Sequence, residues 1–559
     1  MATLNRRTVL AGTAAGVVGA TAIGAGPALA TEAPGEPTTS TPTTSTTTAT
    51  TVSPADPSYQ ELTVGHNTRW VGTPDSVRVV YNTDQVVKAV QEAVTNNKRI
   101  AVRGGGHCYA DFVFNPAVKT VIDMTQMDEV SYDSARRAFV VEAGATLLHA
   151  YQALYKGWGV ALPAGLCYSV GVGGHIAGGG FGLLSRQFGI TVDHLYAVEV
   201  VTVDSTGKVK IVMSTREATD PHRDLWWAHT GGGGGNFGVV TRYFFRSPDA
   251  TGTTPSSQLM KPPKDVYLSA VSLPWADFDK EKFTALVRHY GDWHERNSAV
   301  SSPAHGLTSL LVMNHKSNGN IGIITQIDAS VPNAAKLIED YLVEITSPTG
   351  VDTAPLSRAV GEQGPLPAFF TPRKLPWLTS VRLLGTNNPA LTNPTLRSAN
   401  KSAYHRKGFT VAQAGSLYNQ LTRTDFTNPV ANVMLFGYGS KVNTVAPAAT
   451  ASVQRDSVFK ALYATQWSTA ADDAKNTAWL RDVYTEVYST SGGYPVPNAS
   501  TDGCYVNYPD VDITDTTQNR SGVAWSTLYY KEHYPRLQQI KKTYDPKNVF
   551  RHSQSIALP

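Results

Sequence analysis

AGLCYSVGVGGHIAGGGFGLLSRQFGITVDHL, residues 164–195, is the stretch of this sequence that decides its fold. Seven glycines fall between positions 171 and 182, and one cysteine, Cys167, stands near the start. Because glycine has no Cβ and adopts positive φ at little cost, such a segment lets backbone N–H groups approach a bound anion closely. The stretch therefore predicts a binding site for a phosphate-bearing cofactor.

Two further glycine turns flank this stretch in the sequence. Arg103-Gly104-Gly105-Gly106-His107 lies upstream, and residues 231–235, all glycine, lie downstream. Three such turns predict one extended ligand that is held from several sides. No P-loop signature is present, and the Gly-x-Gly-x-x-Gly spacing at residues 233–238 is followed by a predicted strand. A Rossmann dinucleotide site requires a helix at that point, so this spacing does not indicate one.

The first 57 residues carry targeting features. Arg6 and Arg7 precede a short, weakly apolar stretch that ends in Ala28-Leu29-Ala30, which predicts a twin-arginine signal peptide over residues 1–30. Residues 31–57 are rich in threonine and proline and predict a disordered linker. We therefore expect a secreted protein. A cytoplasmic chain with a chance arginine pair is the alternative.

Composition limits the classes of partner. The chain has 559 residues, a formal net charge of +4 and no long Lys/Arg run, so nucleic acid is not expected. No later stretch reaches the roughly 18 apolar residues of a membrane span, so no membrane contact is expected. Cys108, Cys167 and Cys504 cannot form a disulfide framework and leave an odd thiol. No metal site is predicted, and we expect a monomer or a weak homo-oligomer.

The order of predicted elements indicates an α+β fold. In residues 58–250 strands alternate with helices, such as the one over residues 83–97. Residues 251–490 follow a Ser/Thr/Pro-rich boundary and predict a sheet with helices on one side. In the last segment, residues 491–559, a helix is predicted over 525–544. Residues 505–508 read as a strand, which would place Tyr505 and Tyr508 on opposite faces.

Five motifs in this order resemble the berberine-bridge-enzyme-like flavoproteins, which belong to the vanillyl-alcohol-oxidase superfamily of FAD-linked oxidases. The motifs are residues 103–107, 167–175, 234–238, 505–508 and 545–550. Within the family, the chain looks similar to hexose, oligosaccharide and natural-product oxidases of actinobacteria. The resemblance implies a PCMH-type FAD-binding domain of two α/β subdomains, built from residues 58–250 and 491–559. A substrate-binding domain of antiparallel sheet covered by helices, residues 251–490, would be inserted between them.

The resemblance also implies that FAD is attached twice, and it gives the positions. His107 would bind the 8α-methyl carbon and Cys167 would bind C6 of the isoalloxazine ring. A thiolate and an imidazole are suitable nucleophiles for these positions, and the attachment would account for the odd thiol. Taken singly, His107 is equally well explained as a hydrogen-bonded loop residue, and Cys167 is better explained as a small buried apolar side chain.

Further cofactor contacts are expected mainly from the backbone of the glycine turns. Arg103 is either a phosphate clamp or a strand-end residue, and His175 either faces the cofactor or is a satisfied core histidine. The resemblance places Val170 beside the C4a region of the flavin, where a small side chain implies access for O2 and favours an oxidase over a dehydrogenase. The predicted cofactor-binding residues other than His107 and Cys167 are Arg103, Gly104, Gly105, Gly106, Val170, Gly171, Gly173, Gly174, His175, Gly179, Val240 and Asn507.

The resemblance places catalysis on tyrosines. Tyr508, the second tyrosine of the tail motif, would take the hydroxyl proton of the substrate while hydride leaves for flavin N5. Since the ordinary pKa of a phenol is about 10, a nearby cation or donor has to help Tyr508 toward the phenolate. Tyr438 resembles a second active-site tyrosine of related oxidases, although it could also be an ordinary half-buried strand tyrosine.

These features together predict a secreted FAD-dependent oxidase. It would oxidise an alcohol, a sugar hydroxyl of a carbohydrate or glycosylated natural product, and reduce O2 to H2O2. One alternative is a secondary-metabolite oxidase that performs oxidative cyclisation or desaturation. Another is a secreted binding module without turnover, against which the joint presence of His107, Cys167 and Tyr508 argues.

Overall fold

Three β-sheets organise the part of the chain that the structure, a computed structural model, describes, which is residues 49–559. The predicted signal peptide, residues 1–30, and the linker up to residue 48 lie outside the described residues. The sheets combine parallel and antiparallel pairing with helices, which confirms the predicted α+β class.

The first sheet contains four strands in the order β1-β2-β4-β3. β4 runs parallel to β2 and β3, whereas β1 is antiparallel to β2. β1 lies within the predicted linker, so the linker prediction is wrong at this point: Val52 is buried and pairs with Val77, and β-branched threonines fit a strand. The strands are β1 (Thr50–Val52), β2 (Ser76–Val79), β3 (Ile100–Arg103) and β4 (Thr120–Asp123).

The second sheet is antiparallel, with its five strands in the order β5-β6-β9-β7-β8. Its strands are β5 (Val130–Asp133), β6 (Ala138–Glu142), β7 (Leu195–Val203), β8 (Val209–Thr215) and β9 (Val239–Phe245). The 233–238 glycines lead into β9, a strand as predicted, so the absence of a Rossmann helix at this point is confirmed.

The third sheet is a large antiparallel sheet. Seven strands follow the order β13-β10-β12-β11-β16-β17-β15, and β14 also pairs with β10. The helix over Ala334–Thr346 packs on β12, and the helix over Asp473–Val487 packs on β17. The strands are β10 (Asp265–Pro274), β11 (Thr308–Asn314), β12 (Asn320–Asp328), β13 (Ala354–Pro355), β14 (Arg373–Pro376), β15 (Arg397–His405), β16 (Asn432–Gly437) and β17 (Phe459–Trp467).

The helices begin and end close to the predicted positions where caps are present. Asn82 accepts a hydrogen bond from the backbone N–H of Gln85 and so caps α2. The predicted helix over 525–544 is divided into α12 and α13, because Lys531 adopts a positive φ of 47° and Pro535 restarts the helix. The helices are α1 (Tyr59–Leu62), α2 (Thr83–Thr95), α3 (Leu147–Trp158), α4 (Val172–Ala177), α5 (Ser185–Phe188), α6 (Arg223–Ala228), α7 (Lys280–Arg296), α8 (Ala334–Thr346), α9 (Trp377–Leu384), α10 (Val411–Leu421), α11 (Asp473–Val487), α12 (Trp525–Tyr530) and α13 (Tyr534–Tyr544).

The tail of the chain contacts the segments that precede it. Lys401 on β15 forms a buried ion pair with Asp510, with 2.7 Å between Nζ and Oδ1. Farther along, Lys541 Nζ donates to the carbonyl oxygen of Asn236 in the third glycine turn at 2.6 Å. The predicted boundaries near residues 250 and 490 stay predictions. Among residues 49–559, no helix combines the length and apolar character needed to cross a bilayer.

Candidate active site

A cavity of about 350 Å³ lies where the three glycine turns meet. Residues 103–107 and 233–236 contribute to its wall, together with Gly171, Gly173 and Gly174. Phe436 and Glu362 line it from the region of the large sheet, and residues 505–509 line it from the tail. Its volume is in the range of ordinary small-molecule sites. The cavity is therefore the candidate site. Residues from each of the predicted segments 58–250, 251–490 and 491–559 form its wall.

The first two glycine turns pack backbone against backbone. A Cβ on Gly105 would overlap the backbone of Ser169 and Gly171, and a Cβ on Gly171 would overlap Gly105 in return. A Cβ on Gly173 would come within 2.9 Å of the carbonyl oxygen of Ala143. Glycine is thus required here by close approach, and the side-chain-free walls leave room for a ligand.

His107 is an uncharged imidazole held by two neighbours. Its Nε2 lies 2.8 Å from the Ser169 hydroxyl, and its ring stacks on His66 with 4.4 Å between centroids. Burial, followed by the nearby His66 and Arg103, lowers the pKa of His107 to about 3. The ring is therefore neutral and nucleophilic at physiological pH.

Cys167 lies beside the same serine. Its Sγ is 3.9 Å from Ser169 Oγ, and the Thr386 side chain is a further neighbour of the thiol at the cavity wall. Burial raises the pKa of the Cys167 thiol above its ordinary value, and the nearby Glu362 raises it further. The structure thus brings together the two predicted attachment residues, although 60 positions separate them in the sequence.

Most other predicted contacts also line the cavity. Arg103 contributes there, but its Nη1 is 2.6 Å from Asp123, so the guanidinium forms an ion pair with the protein itself. His175 Nε2 accepts the backbone N–H of Gly165 at 3.2 Å, and burial lowers its pKa to about 4, so it is neutral. The remaining predicted residues in the lining are Gly104, Gly105, Gly106, Val170, Gly171, Gly173, Gly174, Val240 and Asn507.

Two predicted residues do not reach the cavity. Gly179 is buried behind the wall with a φ of 107°, where the chain turns toward Ser452. Tyr438 is also fully buried, next to Phe181 and Tyr404. Because β16 ends at Gly437, the alternation that would continue from Phe436 to Tyr438 is lost. Phe436 and Gly437 are instead the residues of this strand that line the cavity.

The predicted strand over residues 505–508 is wrong. The segment is a turn in which the backbone N–H of Tyr508 donates to the carbonyl oxygen of Tyr505 at 3.0 Å. Residues three apart in such a turn lie on one side, and the two tyrosine rings meet edge to face with 5.1 Å between centroids. Asn507 fixes the turn, because its Nδ2 donates to the carbonyl oxygen of His175 at 2.9 Å.

Tyr508 lines the cavity as a protonated phenol. Burial raises its pKa well above the ordinary value, and Tyr109 and Glu362 raise it further. From the sequence, a nearby cation is expected to favour the phenolate. Buried Lys460 is a cation of this region, but it lies over the rings of Phe181 and Tyr505, 3.5 and 3.9 Å from their centroids. The strongest influences on Tyr508 therefore oppose the phenolate and do not provide the help expected from the sequence.

Sequence reasoning missed several residues of the wall. Tyr109 and His66 flank the first glycine turn, Glu362 and Thr386 come from connections of the large sheet, and Phe436 lies on β16. Tyr109 follows the RGGGH motif by two positions, which is a signal that could have been used. Glu362 and Thr386 lie in loops without a recognisable motif, so only the folded chain brings them to the site.

A glycine-walled cavity that holds a neutral imidazole, a thiol and a tail tyrosine defines a protein that binds an extended, phosphate-bearing redox cofactor. The comparisons agree: residues 74–212 match the family described as FAD binding domain, and residues 504–557 match the family described as berberine and berberine like. The chain is 45% identical over 553 residues to aclacinomycin-N/aclacinomycin-A oxidase of Streptomyces galilaeus, covering 98% of this chain and 97% of that one.

Two further relatives support the same assignment. Hexose oxidase of Chondrus crispus is 33% identical over 537 residues, with 90% of this chain and 93% of the relative covered. The crystal structure of a glycopeptide hexose oxidase complexed with teicoplanin matches with a TM-score of 0.84 and 44% identity, over 91% of this chain and 99% of that one. The chain belongs to the berberine-bridge-enzyme-like family of FAD-linked oxidoreductases.

The residues of the cavity fit FAD. The turns at Gly105 and Gly171 pack too closely for any Cβ and expose backbone to the cavity, as a pyrophosphate requires. Arg103 Nε is buried and has no partner among the described residues, so it can donate to a ligand. The uncharged ring of His107 and the thiol of Cys167 lie at the same cavity. The chain is an FAD-linked oxidoreductase, and the cavity at these turns is its candidate cofactor site.

Proposed function

We propose that the protein is a secreted oxidase that oxidises a sugar hydroxyl of a carbohydrate or glycosylated natural product, with FAD held covalently by His107 and Cys167. The observation that carries this proposal is the joint placement of His107, Cys167 and Tyr508 at one cavity. The hexose and aclacinomycin oxidases among the relatives support the substrate class. Dioxygen would take up the two electrons as H2O2.

Ser169 supports the double attachment. With Nε2 of His107 engaged by the serine hydroxyl, Nδ1 is the ring nitrogen left for a bond to the cofactor. The low pKa of His107 keeps its lone pairs free of protons at neutral pH. Bound FAD would supply the hydride acceptor for oxidation of the substrate carbon.

Tyr508 is the proposed proton acceptor of the reaction. Its half-buried ring packs edge to face on Tyr109, Phe181 and Tyr505, and this packing holds the phenol at the cavity wall. A general base in this position takes the hydroxyl proton of the substrate as the carbon is oxidised. Since the pKa of Tyr508 is raised, this step requires the phenolate and becomes faster as the pH rises.

The attachment is tested on acid-precipitated, washed protein. We expect flavin absorbance to stay with the pellet, and peptides containing His107 and Cys167 to carry the flavin mass. Cys167→Ala should retain flavin through His107 alone, with a changed absorption spectrum. Flavin released into the supernatant of the wild-type protein would contradict both bonds.

The substrate class is tested with a panel of mono- and oligosaccharides and glycosylated aromatic compounds, with H2O2 as the readout. Peroxide formed from sugars with a free hydroxyl, and absent with the corresponding aglycones, is the expected result. Oxidation of aglycones alone would instead support the alternative.

The alternative is oxidative cyclisation or desaturation of a secondary metabolite, and one observation favours it. Part of the cavity wall is apolar and aromatic, with Phe181, Phe436 and Leu183 beside Tyr508. Phe181 and Phe436 meet edge to face at 5.6 Å between centroids. Such a wall accommodates a flat aromatic ring as readily as the apolar face of a sugar.

A further inference from the structure

A connected row of five side chains crosses the candidate attachment site. It starts at His107, whose Nε2 is 2.8 Å from Ser169 Oγ, and Ser169 in turn lies 3.9 Å from Cys167 Sγ. The Thr386 hydroxyl, which lines the same cavity and neighbours the thiol, donates to Glu362 Oε2 at 3.3 Å. The row therefore joins the thiol to a carboxyl group that no motif indicated.

The loop that carries Glu362 is held firmly to the loop that carries Thr386. The carbonyl oxygen of Glu362 accepts the backbone N–H groups of Asn387 and Asn388, both at 3.2 Å. Asn388 Nδ2 also donates to the carbonyl oxygen of Gly361 at 2.8 Å. The carboxyl and the hydroxyl thus keep their relative positions, as a proton relay requires.

We propose that Glu362, acting through the Thr386 hydroxyl, is the proton acceptor of the Cys167 thiol when sulfur forms its bond to the flavin. This proposal rests on the double attachment proposed above. In this proposal the Thr386 hydroxyl passes the thiol proton on, and Glu362, which accepts the hydrogen bond of that hydroxyl, receives it.

Electrostatics favours a single negative charge shared across this row. Burial raises the pKa of both Cys167 and Glu362. A negative charge on either group also disfavours ionisation of the other. Two such groups titrate as a pair, so the charge can pass from carboxylate to sulfur while the proton moves the other way. His107, reached through Ser169, is a weaker proton acceptor, because its pKa is lowered to about 3.

The overall step balances with dioxygen as the oxidant. The S–H bond of Cys167 and the C–H bond at the flavin ring carbon break, and the S–C bond forms. The thiol proton goes to Glu362 and from there to solvent, and the ring hydrogen also leaves as a proton. The released electron pair reduces O2, which takes up two protons and becomes H2O2.

The test compares peptide masses of purified holoenzyme variants. Glu362→Gln keeps an acceptor for the Thr386 hydroxyl but cannot take a proton, so we expect flavin on the His107 peptide and at least a tenfold lower fraction on the Cys167 peptide. Thr386→Val should act in the same way and Thr386→Ser should restore the second bond. Glu142→Gln, a change at a half-buried glutamate outside the cavity, is the matched control and should remain doubly attached.

Alkaline incubation separates proton transfer from a merely structural effect. Titratable groups that face the thiol are Glu362, Tyr109, Tyr168 and Tyr508. In Glu362→Gln, formation of the second bond in air should accelerate roughly tenfold per pH unit between pH 7.5 and 9, because the thiol then has to ionise by itself. In the wild type, measured from the moment at which FAD is bound, the rate of formation of the second bond should depend less steeply on pH.

Two outcomes would overturn the inference in different ways. If Glu362→Gln attaches flavin to Cys167 as fully as the wild type or faster, the carboxylate only hinders thiol ionisation and is not the acceptor. If the singly attached variant gains no second bond at pH 9, its defect is structural. Absence of the Cys167 bond from the wild type itself would remove the double attachment and this inference with it.

Discussion

Ser169 connects the two residues on which the proposed attachment depends, since its hydroxyl lies near both His107 and Cys167. The sequence predicted His107 and Cys167 from separate motifs, but it could not predict this contact. The contact exists because Gly105 and Gly171 allow two turns to pack backbone against backbone. At the scale of single residues, the site depends on the packing of these two turns, which brings His107, Ser169 and Cys167 together.

Tyr508→Phe tests the proposed base. Without the phenol oxygen, we expect the rate of flavin reduction by an oxidisable sugar to fall by about 10²-fold or more, the range of general-base catalysis. The wild-type rate should rise with pH through the alkaline range, because burial and Glu362 raise the pKa of Tyr508. Anaerobic stopped-flow reduction measures both effects.

Flavin content serves as the internal check on this variant and should be unchanged. Tyr81→Phe, at a tyrosine with 45% of its side chain exposed, is the matched control and should reduce flavin at the wild-type rate. A Tyr508→Phe enzyme that keeps both its rate and its rise with pH would remove Tyr508 as the base.

Tyr438 is a predicted site residue that the structure does not bring to the cavity wall. The motif around it suggested an active-site tyrosine, yet the residue is buried next to Tyr404 and Lys460. A two-residue alternation predicts direction only while a strand continues, and here β16 ends at Gly437. Glu362 was missed for a different reason, since its loop has no periodicity or motif and reaches the cavity only through tertiary contacts.

At the scale of elements, the glycine turns were predictable because glycine density has a direct physical cause. The turn at residues 505–508 was not, because its alternating sequence also fits a strand. Backbone hydrogen bonding between Tyr505 and Tyr508, together with the Asn507 contact to His175, determines the outcome. Predictions from local sequence pattern were reliable where the pattern fits one backbone conformation, as in the glycine turns. They were unreliable where it fits two, as at residues 505–508.

Gly171→Ala tests the packing of the first two turns. Its Cβ would overlap Gly105, so the turns must separate, at a cost of about 1–3 kcal/mol typical of overpacking. We expect a lower fraction of protein with bound flavin and a lower unfolding temperature, measured by absorbance and by thermal denaturation.

Gly157→Ala provides the matched control for this change. Gly157 lies in α3 and a Cβ there would meet nothing within 4 Å, so flavin content should be unchanged and stability equal or higher. Equal flavin content and equal unfolding temperature in Gly171→Ala and wild type would show that the two turns tolerate separation.

At the scale of the whole molecule, buried neutral histidines should make the protein sensitive to acid. Burial lowers the pKa of five histidines besides His107 to between about 3 and about 4, against an ordinary value near 6.5. They belong to different elements of the fold and are His175, His229, His294, His405 and His552. Together they couple the stability of the entire chain to pH.

The sign of this coupling follows from which state binds protons. Below pH 6.5 the unfolded chain protonates these histidines while the folded chain does not, so each removes about 1.4 kcal/mol of unfolding free energy per pH unit down to its folded pKa. Asp502 acts oppositely, because its pKa is raised to about 6 and the folded state binds its proton first. Glu142, Glu362, Asp510 and Asp545, whose pKa burial also raises, act in the same direction as Asp502. Because the histidines with a lowered pKa are more numerous than these carboxyls, we expect the unfolding temperature to be clearly lower at pH 4.5 than at pH 7.

His294→Leu measures the contribution of one buried histidine to the pH dependence of the unfolding free energy. His294 is fully buried, and its Nε2 has no hydrogen-bond partner among the described residues, so an apolar side chain can replace it. The slope of unfolding free energy against pH between 4.5 and 6 should become shallower by about 1.4 kcal/mol per pH unit, measured by denaturant titration at constant ionic strength. An unchanged slope would mean that His294 binds its proton in the folded state as readily as in the unfolded one, and that burial of these rings does not control acid stability.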